Sequence, residues 1–231
     1  MTNYAVHSKN LEKNPINPER IIYHCVLVSS CLSVIYLIIN INAELILSLI
    51  QCVLGIAALH VPMILTKLTR IKFPGTLCSC YYIFILCGTV LGEMFSMYYK
   101  VPVWDSLLHF GSGIMISMLG SILLVTYLQK NDCKRLINPM FIAIAAVCFS
   151  ICIGVFWEIY EFTADAVLGL NMQKCFLEDG TALMGQAALM DTMKDLIIDT
   201  LGAVTAAVSA YLSLKHNKGW LNYYIHIKER G

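Results

Sequence analysis

Residues 191–214 read DTMKDLIIDTLGAVTAAVSAYLSL. Asp191, Asp195 and Asp199 recur every four residues, a spacing that stacks them on one face of a helix. From Thr200 to Leu214 no Asp, Glu, Lys, Arg or His follows. The helix therefore runs from an acidic mouth into an apolar medium, and Asp199 lies below the surface of that medium.

The rest of the chain identifies the medium. Of 231 residues 58% are hydrophobic and 13% charged, and the mean hydropathy is +0.70, far outside the range of soluble domains. Windows long enough to cross a bilayer, roughly 20 residues each, fall at about 21–40, 44–65, 77–99, 106–128, 139–162 and 192–214. The expected fold is all-α: a polytopic membrane bundle of six transmembrane helices over 21–214, between an N-terminal tail, 1–20, and a C-terminal tail, 215–231. The polar start with Pro15 and Pro18, and the lack of a small-residue cleavage site, read as a retained first span.

Charge placement orients the bundle. With the N-terminus inside, thirteen of the sixteen Lys and Arg lie on the cytoplasmic side and only Lys100, Lys174 and Lys194 lie outside. Both termini are thus expected to be cytoplasmic in a plasma membrane. A net charge of +1 gives no reason to expect a nucleic-acid partner; the expected partners are membrane lipids. Most of the ten cysteines sit in apolar segments, so they read as small buried residues or free thiols.

Local signals mark the boundaries. Asn138-Pro139 supplies an N-cap and a proline at the first helical position of span five. Phe73-Pro74-Gly75 is a turn, and Pro62 is expected to kink span two near its end. Gly88 with Gly92, and Gly202 with Ala206 and Ala210, read as close-packing stripes. The segment from Gly219, with Trp220, Tyr223, Tyr224 and Ile227 on one face, suits an interfacial helix or a frayed tail. The loop 168–190 is the longest connection and is placed to cover a site.

Tracing depth along each span brings the ionisable residues together. Glu93 lies in the outer third of span three, Asp105 and His109 at the outer start of span four, Glu158, Glu161 and Asp165 at the outer end of span five, and the three aspartates at the mouth of span six. Within each helix the spacing keeps them on one stripe. Asp105 and Asp191 also suit helix caps, and the residues around Trp157 suit an interfacial belt. Glu93, His109 and Asp199 lie deeper, where a charge costs about 2.5–3.5 kcal/mol and normally faces a bundle interior or an aqueous cavity.

Carboxylates with one imidazole are the ligand set of Mg²⁺, Mn²⁺, Ca²⁺, Fe²⁺ or Zn²⁺. Candidate metal ligands are Glu93, Asp105, His109, Glu158, Glu161, Asp165, Asp195 and Asp199, with His109 and Glu158 as candidate catalytic acid or base. The expected cofactor is a divalent cation of unspecified identity. No HExxH, nucleophile elbow, P-loop or GxGxxG is present.

Trp104-Asp-Ser-Leu-Leu-His109-Phe-Gly-Ser-Gly113, Phe156-Trp-Glu158-Ile-Tyr-Glu161-Phe with Asp165, and Asp191 through Gly202 together resemble the YjdF-like family of predicted bacterial inner-membrane proteins. A weaker likeness is to VanZ-like membrane proteins. The resemblance implies the topology and the site residues, and no activity.

Three functions fit: metal-dependent chemistry on a lipid or lipid-linked substrate at the outer leaflet, cation- or proton-coupled transport, and a non-catalytic protein with a structural ion network. The stretches 77–92, 113–128, 139–156 and 200–214 carry no Asp, Glu, Lys, Arg or His, so a relay to the cytoplasm would need water and hydroxyls alone. That favours a one-sided site over transport.

Overall fold

The computed structural model describes residues 18–40, 46–133, 137–177 and 179–221. Lys9, Lys13, Lys134, Arg135, Glu178, Lys228 and Arg230, and the expected interfacial helix beyond Leu221, lie outside the described residues. The elements are α1 (Pro18–Ile39), α2 (Ile46–Ala58), α3 (Val61–Thr69), α4 (Gly75–Ile85) continued by π-helical turns (Leu86–Met94), α5 (Met97–Lys100), α6 (Trp104–Lys130), α7 (Pro139–Leu168) and α8 (Met190–Lys215). Among the described residues the only strand-like pairing is one bridge, Phe176 to Ala182. Among the described residues six helical stretches are long and apolar enough to cross a membrane: Pro18–Ile39, Ser48–Thr69, Gly75–Met94, Trp104–Lys130, Pro139–Leu168 and Met190–Lys215. The chain is an all-α membrane bundle, as the hydropathy predicts.

Boundaries shift where backbone chemistry intervenes. The second span breaks at Leu59-His60, and Pro62 opens α3 in the first turn, so the span runs to Thr69 instead of 65. A proline at position 62 cannot bond to the Ala58 carbonyl; the Tyr81 hydroxyl donates to that oxygen instead at 2.8 Å. His60 pairs through Nδ1 with the Ile56 carbonyl at 3.0 Å and through Nε2 with Tyr23 at 3.4 Å, a helix-contact role. The third span stops at Met94, short of the expected 99, because Ser96 turns left-handed at φ 58°. Span five runs on to Leu168, where Gly169 at φ 67° returns its N–H to the Asp165 carbonyl.

The Asn138 side chain accepts from Met140 N–H at 2.9 Å and Phe141 N–H at 3.3 Å, the expected cap of α7. Asp105 and Asp191 do not cap: the N-caps are Val103 and Leu189, and both aspartates sit in the first turn, where the helix dipole still favours them. Gly88 and Gly92 face a side chain and not the backbone of a neighbouring helix. A side chain at Gly92 would collide with the ring of Tyr98 on α5, so the glycine stripe seats an aromatic ring.

Helices α6, α7 and α8 pack mainly on one another, and α1 packs on α2 and α4. The axis of the first group is a crossing of backbones. A Cβ at Gly113 would strike the Asp199 carbonyl, and one at Gly202 would strike the Phe110 carbonyl. The contact is sealed by Ser117 Oγ donating to the Ala203 carbonyl at 3.0 Å, while Ser150 Oγ on α7 donates to the Gly113 carbonyl at 3.1 Å. Lipid supplies no hydrophobic drive for helix association, so close approach and interhelical hydrogen bonds set the register. Apolar clusters lie toward the end of the bundle that carries Lys67, Lys72, Lys130 and Lys215; one joins Ile71, Ile122, Val125, Ile142 and Leu221. Toward the opposite, acidic end, the interior of the α6–α8 group is ionisable.

Candidate metal centre

The Gly113–Gly202 crossing determines which side chains meet. One turn from Gly113 toward the acidic end stands His109, and three residues before Gly202 stands Asp199. His109 Nδ1 donates to Asp199 Oδ2 at 3.2 Å. Ser112 Oγ donates to the other oxygen of Asp199 at 2.8 Å and also lies 2.8 Å from the His109 carbonyl. On the α7 side, a Cβ at Gly154 would stand 2.9 Å from Asp199 Oδ2, so the absence of a side chain there is what admits the carboxylate.

A further turn toward the acidic end brings Asp105 and Asp195 to the imidazole. His109 Nε2 lies 3.7 Å from Asp105 Oδ1 and 3.7 Å from Asp195 Oδ2. One ligand atom from each of the three residues lies within 4.8 Å of the others. Asp195 is 1% exposed and its Oδ1 has no hydrogen-bond partner among the described residues. With Asp199 accepting from Nδ1, Nε2 faces the two carboxylates, as an N–H when the ring is an imidazolium and as a lone pair when the neutral ring binds a cation. A carboxylate that fixes the tautomer of a histidine in this way is the usual outer partner of a metal-binding imidazole. The Asp–His–Asp group can hold a metal ion, and its N,O donor set suits Zn²⁺, Mn²⁺ or Fe²⁺ better than the all-oxygen ions Ca²⁺ and Mg²⁺.

The family described as predicted membrane protein (DUF2238) matches residues 22–216. The chain belongs to it. A protein of Thermotoga maritima described as uncharacterized is 30% identical over 151 residues, covering 65% of this chain and 69% of its own length. No solved structure matches.

In this DUF2238 chain the remaining acids take distinct places. Glu158, 5% exposed, has both carboxylate oxygens buried without a hydrogen-bond partner among the described residues. It lies within Coulombic range of His109, Asp191 and Asp199. The Thr192 hydroxyl approaches it without closing a hydrogen bond, and accepts instead from Gln173 Nε2 at 2.8 Å. Glu161 is buried near Glu158 and Asp105 and accepts from Trp157 Nε1 at 3.0 Å. The structure does not bring Asp165 to the metal centre: its two oxygens accept from the backbone N–H groups of Met172 at 2.7 Å and Gln173 at 3.0 Å, anchoring the following loop. Glu93 is also apart. With the Gln51 amide turned to present its nitrogen, Gln51 donates to Glu93 at 2.6 and 3.2 Å. Tyr98 is within electrostatic range of Glu93 and also of Asp105 and Glu161.

The loop after α7 reaches back over the centre. Lys174 donates to Asp105 Oδ2 and, at 2.9 Å, to Asp191 Oδ1. Burial works against its ammonium, but these carboxylates outweigh it and hold the Lys174 pKa above the ordinary lysine value. Six carboxylates, Asp105, Asp191, Asp195, Asp199, Glu158 and Glu161, thus face two side chains able to carry positive charge, Lys174 and His109. So many acids this close cannot all stay ionised, and bound protons or a bound cation must offset their charge.

Three contributors were not picked out from the residue pattern. Ser112 is one turn after His109 in the same motif, and Gly154 is one turn before Glu158 on the same stripe. Either could have been found by extending each stripe to non-ionisable positions. Lys174 carries no periodic signal, since its role depends on how the loop folds.

Proposed function

We propose that α6, α7 and α8 hold one divalent cation through Asp105, His109 and Asp195, and that the centre performs chemistry on a lipid or lipid-linked substrate reaching it in the membrane. The observation that supports this reading is the imidazole held between Asp199 on Nδ1 and two carboxylates at 3.7 Å from Nε2. A bound cation would supply Lewis-acid polarisation of an ester or phosphoryl oxygen, or a more acidic bound water. The chain's own residues divide the other tasks. Asp199, oriented by Ser112, keeps the hydrogen on Nδ1. Glu158 has two oxygens free to take or give a proton. Lys174 holds the outward oxygen of Asp105, which keeps its other oxygen turned to His109.

The membrane is the plasma membrane and the acidic end faces outward, with both termini cytoplasmic; the Lys and Arg distribution supports this orientation. The tail, six-helix and tail division and the YjdF-like likeness belong to the same proposal. Transport through the bundle is less favoured. Ser117, Ser121 and Ser150, buried toward the basic end, each donate to a backbone carbonyl, so these hydroxyls do not form a free relay.

The test is metal analysis of protein purified in detergent. Wild type carries one divalent cation per chain, and His109→Ala and Asp195→Asn abolish it while the proteins remain folded. A metal-free wild type whose thermal stability does not respond to added Zn²⁺, Mn²⁺ or Fe²⁺ removes the reading. Full metal loading with no hydrolysis of any ester or phosphate lipid would leave a structural ion network in place of an enzyme.

A further inference from the structure

At the opposite end of α8 the chain folds back on itself. Lys218 N–H bonds to the Ser213 carbonyl at 3.0 Å and Asn217 N–H to the Leu214 carbonyl at 3.3 Å, with Asn217 left-handed at φ 52°: a Schellman closure of the helix. Gly219 follows at φ 89°, and a Cβ there would come within 3.2 Å of Ser213 Oγ. The reversal sends the chain back along α8. Trp220 Nε1 donates to Ser209 Oγ at 3.1 Å, Leu221 N–H donates to Ser213 Oγ at 3.1 Å, and Leu221 is fully buried in the apolar cluster.

Between the returning segment and α8 runs a shallow, open groove of about 570 Å³. It extends from Lys218 and His216 at the basic end to Thr205, and its apolar lining is Val208, Leu212 and Trp220. Thr205 and His216 are eleven positions apart on the helix, about 16 Å at 1.5 Å per residue. Among the described residues no acidic one lines it. Lys215 is engaged elsewhere, its ammonium 5.3 Å from the centre of the Tyr211 ring.

A cationic mouth joined to an apolar trough that descends along a transmembrane helix matches an amphipathic anion with its charge at the membrane surface. We infer that this groove binds an anionic phospholipid, its phosphate at Lys218 and His216 and an acyl chain along Val208 and Leu212. A lysine near the membrane surface attracts an anionic head group by about 1 kcal/mol. Binding there would secure the fold-back that plugs Leu221 into the bundle. The inference does not depend on the metal reading, which concerns the other end of the same helix.

The experiment is native mass spectrometry of full-length protein in detergent, titrated with phosphatidylglycerol or phosphatidylcholine. Wild type retains one phosphatidylglycerol about fivefold more strongly than phosphatidylcholine, the effect of one surface lysine on an anionic lipid. Lys218→Ala removes the preference. Val208→Trp, at an exposed position that fills the groove without altering charge, removes retention of both lipids. Lys67→Ala, a lysine of the same end outside the groove, changes nothing. Equal retention of the two lipids by wild type overturns the inference, as does a preference that survives both Lys218→Ala and Val208→Trp. Displacement of the lipid by millimolar inorganic phosphate would assign the mouth to a free anion and would also overturn it.

Discussion

Replacing Gly154 with alanine tests the metal centre without removing any candidate ligand. The new Cβ would stand 2.9 Å from Asp199 Oδ2, where ordinary contact begins at 3.4 Å, so the carboxylate must recede by the difference, 0.5 Å. Its other oxygen is held by Ser112 at 2.8 Å. The yielding bond is therefore the longer one to His109 Nδ1, which stretches from 3.2 Å to beyond the ~3.5 Å limit of a useful hydrogen bond. Loss of such an outer partner weakens metal binding about 10- to 100-fold, or about 1.4–2.8 kcal/mol. Alanine is also the better helix former by about 1 kcal/mol, so the metal-free protein does not lose stability in proportion. The assay is competition for Zn²⁺ or Mn²⁺ against a fluorescent chelator, alongside the thermal midpoint of the metal-free form. Unchanged affinity in Gly154→Ala would show that Asp199 does not support the ligand histidine, and the reasoning would be wrong.

Asn138→Ala removes the α7 cap and lowers stability by about 1 kcal/mol, with metal content unchanged; thermal unfolding with metal analysis checks both. Ser117→Ala breaks the α6–α8 hydrogen bond to the Ala203 carbonyl and costs about 0.6 kcal/mol, the average for such bonds between membrane helices, measurable by unfolding in mixed micelles. Lys174 is 46% exposed, so Lys174→Met lowers stability by at most about 1 kcal/mol. Its folded pKa is raised, so this contribution is fully present below about pH 10 and is lost only as pH climbs through the raised value; unfolding at pH 7 and pH 9 should give equal wild-type-minus-variant differences. In variants retaining a single cysteine, a membrane-impermeant maleimide applied to intact cells labels Cys175 and spares Cys133, which tests the orientation. Burial pushes the Cys175 thiol up, so its labelling speeds up in mildly alkaline buffer.

Hydropathy and caps made the bundle legible. Six apolar windows, the Asn138-Pro139 start and the break before Pro62 each follow from local chemistry. The polar stripes were legible for the same reason, because i, i+4 spacing assigns a face without reference to neighbours. What the spacing could not provide is the rotation and height of one helix against another. Those come from the Gly113–Gly202 crossing, which puts His109 against Asp199. Glu93 shares the depth of the cluster but pairs with Gln51 on α2. Asp165 continues the stripe of Glu158 and Glu161, yet the backbone of the following loop turns into it. In both cases a carboxylate found a nearer donor that only the folded chain reveals.

The central claim, that Asp105, His109 and Asp195 hold a divalent cation, is tested most directly by X-ray absorption at the edge of the metal that copurifies with the full-length protein. The account predicts a first shell of oxygen and nitrogen with the outer-shell signature of one imidazole, and no metal edge at all in His109→Ala. A sulfur shell from the free cysteines, or a spectrum unchanged by His109→Ala, would contradict it.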